Sequence, residues 1–281
     1  MLLLTMSLNS CGFVKTAYNN APEAINWWLD DYFDFNKAQK SILDPALQRL
    51  HDWHREHHLP IDIALLKYLQ TSAGKQQISH NEACELTKRI KDNFSKLQLE
   101  SIPLILEIAP LLTDKQLQYF HKKLDKRTQK WKSEWWQETS EEQIAVRYEK
   151  IEALAEKIYG DLNESQRATL KKDLLKLQIN PELSYNEILR RNQDAYQIAS
   201  ELRNQSSSSD DKSKLVKAAF KRLRNSPNPI YQAYVDQLNA GTCEMIANLH
   251  TSTDAKQKQH AQDWFDYYIV EFTSLSAVGN N

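Results

Sequence analysis

Five glycines among 281 residues constrain this chain more than any motif it carries. Sheets and phosphate-binding loops turn tightly on residues that tolerate positive φ, usually glycine, whereas long helices need none. The chain is therefore expected to be all-α, an array or bundle of antiparallel amphipathic helices. Periodicity points the same way. Ile25, Trp28, Leu29, Tyr32 and Phe33 follow the i, i+3, i+4, i+7, i+8 spacing of one helix face, with Asp30, Asp31 and Asp34 elsewhere. That face is expected to pack into a core.

The punctuation between helices is readable. Asp44 and Pro45 look like an N-cap and a first-turn proline, and Pro60 like the start of another segment. Ser79 with Glu82, Thr113 with Gln116, and Ser184 with Glu187 have capping-box spacing. Gly160 ends the helix that carries Ile144, Tyr148, Ile151, Ala155 and Ile158. The serine-rich run Ser206 to Ser213 reads as a loop, and Ser226 to Pro229 as a hard break. Amphipathic helices resume on both sides of each, so residues 22–281 read as one helical domain without a persuasive strand.

Lys plus Arg (36) nearly cancels Asp plus Glu (37), for a net charge of −1. A dedicated nucleic-acid binder needs surplus cations to displace counterions, so that class is set aside. No apolar stretch approaches the roughly 20 residues that span a bilayer as a helix. Membrane attachment, if any, must come from elsewhere.

Met1 to Leu8 reads as the apolar part of a signal peptide, and Leu8-Asn9-Ser10-Cys11 resembles a bacterial lipobox. The resemblance implies that residues 1–10 are removed and that Cys11 is acylated, with palmitate among the chains. Residues 11–21 would then form a lipidated tether, polar from Gly12 onward. Several acyl chains on one residue suffice for stable anchoring. Gly12, rather than an aspartate, follows the cysteine, which implies the outer membrane, facing the periplasm. The competing reading is a cytosolic chain with a ragged apolar N-terminus.

Lipidation would leave Cys84 and Cys243, and an oxidising periplasm permits a disulfide between them. Leu86, Ile90 and Leu97 mark the apolar stripe of their helix, and Cys84 lies nearly opposite, where burial as a hydrophobe is less natural. Spacing alone leaves the pairing open.

Two stretches together, CGFVKTAYNNAPEAINWWLDDYFDF and LQRLHDWHREHHLP, resemble the start of a bacterial lipoprotein family known only as a domain of unknown function. The likeness rests on Tyr18, Asn19 and Asn20, then on Tyr32, Phe33 and Asp34, then on Trp53, His54 and Arg55. It implies a helical envelope lipoprotein and no particular activity. Leu112 to Gln116 (LTDKQ) is also similar to the Leu-Thr-x-x-Gln signature of Spy and CpxP, periplasmic proteins that shield unfolded clients or sense stress. Leu162 to Gln166 (LNESQ) looks like a second copy, with Asn163 for threonine and Arg167 in the staple position. A capping box with a hydrophobic staple accounts for the first motif equally well.

The one metal-like cluster is HDWHREHH, residues 51–58. On a helix His51, His54 and His58 share a narrow sector, and His54 and His58 stand one turn apart, as two zinc-binding imidazoles do. If they bind metal, all three should converge on one point. The alternative is a hydrogen-bonded core histidine at position 54, since Leu43, Leu47, Leu50, His54 and His57 form an apolar stripe, with His51 and His58 reaching water. No nucleophile elbow, metalloprotease helix or phosphate loop is found, so the sequence supplies no catalytic residue and no cofactor. His121 to Trp136 and Lys217 to Arg224 are basic stretches that read as solvated faces or, alternatively, as lipid-binding surfaces. The expectation is a non-enzymatic adaptor, scaffold or chaperone-like protein that meets envelope proteins or unfolded clients. The alternative is a metal- or lipid-binding protein.

Overall fold

The structure, a computed structural model, describes residues 12–136, 139–204 and 206–277. The expected signal peptide and the Cys11 lipidation site lie outside these residues. All regular structure among the described residues is helical. The chain begins with a short helix, α1 (Phe13–Asn19), followed by α2 (Ala21–Phe33) and α3 (Lys37–Trp53). A π-helical turn (His54–His58) runs directly into α4 (Leu59–Ala73), and α5 (His80–Glu100), α6 (Ile102–Ile108) and α7 (Asp114–Trp135) follow. The remainder comprises α8 (Ser140–Tyr159), α9 (Glu164–Leu175), α10 (Pro181–Glu201), α11 (Ser209–Arg224), α12 (Pro229–Ser252) and α13 (Ala255–Ala277).

The order of packing shows an internal duplication in which α2–α7 corresponds to α8–α13. Helix α2 packs on α3 and α7, as α8 packs on α9 and α13; α3 meets α6, as α9 meets α12. The middle pair of each half crosses over. Helices α4 and α5 lie on α13 and α12, while α10 and α11 lie on α7 and α6. Each half therefore completes the other's core, and neither α4–α5 nor α10–α11 buries its apolar face within its own half.

Four capping boxes built around glutamine hold this arrangement. They start α3 (Asn36, Gln39), α7 (Thr113, Gln116), α9 (Asn163, Gln166) and α13 (Asp254, Gln257). In each, the N-cap side chain accepts the backbone N–H of the glutamine, whose Oε1 accepts the N-cap N–H. The residue before each cap, Phe35, Leu112, Leu162 or Thr253, is buried. The two likenesses to Leu-Thr-x-x-Gln are thus two of four structurally equivalent helix starts. In the second, Arg167 replaces a hydrophobic staple with ion pairs to Glu152 (2.6 Å) and Glu156 (2.5 Å) on α8.

Several boundaries differ from the sequence reading. Pro45 lies inside α3, whose start is the Asn36 box nine residues earlier. Ser184 does not cap a helix: α10 starts at Asn180–Pro181, Ser184 Oγ bonds the Asn180 carbonyl, and Glu187 is buried against Arg190, Arg191 and Ser226. Pro60 stands in the first turn of α4 as expected, although the π turn joins that helix to α3 without a break. Pro60 lacks an N–H, and its ring would crowd the carbonyl one turn back. The π turn absorbs the misfit, with Leu59 N–H bonding the His54 carbonyl. Within the expected tether, residues 13–19 are the helix α1. Gly160 does end α8, at φ 76°.

Two expected apolar stripes turn out to be exposed in part. On α2, Leu29 and Phe33 pack inward, but Ile25 and Trp28 face solvent together with Trp27. On α5, Ile90 and Phe94 are exposed while Ala83 and Cys84 face α12. There Cys84 and Cys243 form a disulfide with Cα atoms 5.0 Å apart, joining α5 to the helix of the other half.

Candidate functional site

The histidine cluster sits where α3 becomes α4. In a straight α-helix each four-residue step overshoots a full turn by about 40°. The π turn holds more residues per revolution and cancels that drift, so His54, His58 and Asp62 come onto one face. It also rotates His58 inward, to 2% exposure, and leaves His57 outside, the reverse of what an unbroken wheel predicts. His54 Nε2 lies 3.5 Å from Asp62 Oδ2, and His58 Nε2 lies 3.6 Å from Asp62 Oδ1. Asn93 on α5 donates to Asp62 Oδ1 at 2.5 Å.

His51 does not join them. Its Nε2 bonds the Tyr18 carbonyl at 3.0 Å, and the Tyr18 hydroxyl bonds His54 Nδ1 at 3.0 Å. Arg55 donates to Asn19 Oδ1 at 2.7 Å. The Tyr-Asn-Asn and Trp-His-Arg segments, 33 or more positions apart, are therefore one contact that fastens α1 to the π turn. Expected convergence of three histidines is corrected to two histidines and a carboxylate. Asp62 is the residue missed in the sequence, because placing a helix start at Pro60 hid its i, i+4, i+8 spacing with His58 and His54.

Burial sets the protonation of this corner. It pushes the Tyr18 hydroxyl up to about 12, against the opposing charge of Arg55. It holds His54 below the ordinary imidazole range although Asp62 pulls the other way, and holds His51 down despite its bond to Tyr18. His54 is thus a neutral imidazole at pH 7, able to act as a ligand through Nε2.

A second feature is an apolar groove of about 270 Å³ between α2, α3, α6, α10 and α11. Leu29, Phe33, Ile105 and Phe220 line it and remain half-buried. Among the described lining residues only Arg191 and Asp194 are polar, and Asp194 is engaged by Arg222 at 2.6 Å. The Lys217–Arg224 stretch therefore contributes Phe220 to the groove and Arg222 to an ion pair. In the other basic stretch Lys123 pairs with Asp31, Lys130 with Glu134, and Lys132 lies over Trp136, which packs edge-on against Tyr185. That surface is largely occupied by its own partners.

An all-α body with an apolar groove and a compact histidine–carboxylate corner defines a class of helical domain and no known chemistry. The chain belongs to the family described as "Family of unknown function (DUF6279)", which it matches over residues 31–222. The match takes in Asp62, both metal-like histidines and most of the groove, and crosses the boundary between the duplicated halves. No curated protein and no solved structure matches the chain.

Proposed function

We propose that this is a lipid-anchored envelope protein that works by binding, not by catalysis. On this reading Cys11 carries the acyl chains, the body faces the periplasm from the outer membrane, and the groove receives an apolar segment of an unfolded or envelope-inserted client. The observation that carries it is the groove itself, whose half-buried lining of Leu29, Phe33, Ile105 and Phe220 stays uncovered by the described residues. Contiguous apolar surface of this kind marks interaction sites on soluble domains. The Leu-Thr-x-x-Gln likeness adds nothing independent, because the boxes serve helix starts. No helix among the described residues is long and apolar enough to cross a membrane. The exposed Trp27 and Phe13, near the proposed anchor, suit a headgroup-level surface.

The test is a holdase assay with the purified full-length chain and a chemically denatured model protein. The wild type is expected to slow client aggregation, and Ile105→Glu, which puts a charge into the groove, to abolish the effect while leaving the helical circular dichroism intact. Equal protection by both proteins, or none by the wild type, would remove the groove from the account. Mass spectrometry of the native N-terminus tests the anchor separately: an unacylated Cys11 overturns it.

A further inference from the structure

We propose that His54, His58 and Asp62 bind a single divalent transition-metal ion of the zinc class, independently of the groove. The spacing is the first ground. One donor atom from each of the three residues lies within 4.8 Å of the others. The Nε2-to-carboxylate separations of 3.5 and 3.6 Å are too long for hydrogen bonds. They run to different oxygens of the one carboxylate, which thus faces both imidazoles. Two imidazoles and a carboxylate, without thiolate, form a donor set suited to zinc or iron(II).

The second ground is an unmet need. His58 is almost fully buried, yet its Nδ1 has no partner and its Nε2 only the distant Asp62. His250 in the other half shows what a structural histidine looks like here. Its Nδ1 meets the Tyr159 hydroxyl at 3.0 Å and its Nε2 the Lys75 carbonyl at 2.9 Å. A metal bound to Nε2 supplies the close partner that this nitrogen lacks, and leaves Nδ1 as it is.

The third ground is the surrounding shell. Tyr18 Oη lies 3.0 Å from His54 Nδ1, so it can accept the Nδ1 proton when Nε2 binds a metal. Asn93 orients the carboxylate through its bond to Asp62 Oδ1. His54 and Asp62 keep side-chain exposures of 20% and 17%, which gives an ion access from solvent. The π turn, an uncommon element often found at functional sites, is what aligns the set.

Cobalt(II) titration of the metal-stripped full-length chain reads the site directly. One equivalent is expected to give the intense visible bands of a tetrahedral ion and to be displaced by zinc. His58→Ala and Asp62→Asn should each weaken uptake by at least about tenfold, whereas His57→Ala, at an exposed neighbour, should not. Weak octahedral bands, or uptake indifferent to His58 and Asp62, would overturn the site. X-ray absorption of the zinc-loaded wild type needs no variant to fold: two imidazoles in the first shell support the proposal, and none refutes it.

Discussion

Gln39 and Gln116, 77 positions apart, hydrogen-bond each other twice, Nε2 to Oε1 in both directions, at 2.9 and 2.8 Å. Each amide also accepts its own N-cap N–H and donates to the carbonyl two residues before the other's cap, Leu111 for Gln39 and Asp34 for Gln116. Gln166 and Gln257 repeat the arrangement, reaching the Ser252 and Asp161 carbonyls. Every donor of a buried primary amide is thereby used, and two helix starts are locked to each other in each half.

Gln116→Glu therefore keeps the shape and destroys the clasp. A carboxylate has no donors, so its oxygen would face the Asp34 carbonyl and the Gln39 Oε1 without a proton between them. Uncompensated buried charge costs about 3–5 kcal/mol. Urea unfolding is expected to show a loss of that order, and a loss below about 1 kcal/mol would mean the clasp is ornamental. The charge penalty should ease when acid protonates the new side chain.

The boxes also explain how much of the fold the sequence disclosed. Thr113–Gln116 and Ser79–Glu82 were readable because cap and partner lie within one turn. The pairing of Gln39 with Gln116 was not, since nothing local distinguishes a glutamine that only caps from one that caps and bridges. Helix class followed from scarce glycine and periodicity, yet periodicity misassigned Ile25, Trp28 and Ile90. On α5 the packing on α12 of the other half turns the Cys84 face inward in place of that of Ile90, and on α2 only the C-terminal part of the stripe, Leu29 and Phe33, reaches the core. At the histidine corner the residue types were visible, while their alignment depended on a π turn that no apolar pattern signals.

Cys84 and Cys243 close a loop of 159 positions across the two halves. Chain entropy predicts that such a link stabilises by about 2–5 kcal/mol. Cys84→Ser, or reduction of the wild type, should lower the unfolding midpoint accordingly without altering helix content, because Lys91 and Asn239 still join the same helices at 2.7 Å. Peptide mapping without reductant should recover the two cysteines together; two free thiols in the native protein would contradict the link.

Stability should fall as pH drops below neutrality, and His250 is a defined contributor. Burial lowers its pKa, against the Lys75 carbonyl bond and with help from the Lys258 charge. The unfolded chain then binds a proton near the ordinary imidazole value of about 6.5 while the folded chain still resists it. The penalty is absent above that pH, grows as pH falls through it, and levels off below the depressed folded value. Protonation would also force a hydrogen onto Nδ1, where the Tyr159 hydroxyl now bonds. Urea midpoints measured from pH 7.5 to 5 should decline in the wild type and decline less in His250→Gln. A parallel slope in both would assign the effect elsewhere.

Trp27 offers a test of the proposed membrane-facing surface that does not depend on the core. It is 77% exposed, beside Trp28 and Ile25 and close in sequence to the equally exposed Phe13. Its removal should shift stability by no more than about 0.5 kcal/mol. The aspartates of the same helix weigh less against a bilayer than their number suggests, since Asp30 is paired with Lys40 at 2.9 Å and Asp31 with Lys123 at 2.5 Å. Interfacial tryptophans place their rings at headgroup level. Vesicles of phosphatidylethanolamine and phosphatidylglycerol with brominated acyl chains should therefore quench the tryptophan fluorescence of the wild type. Quenching should drop sharply when Trp27 and Trp28 are both changed to alanine. Fluorescence indifferent to the brominated lipid in the wild type would place this face in water and detach it from the anchor.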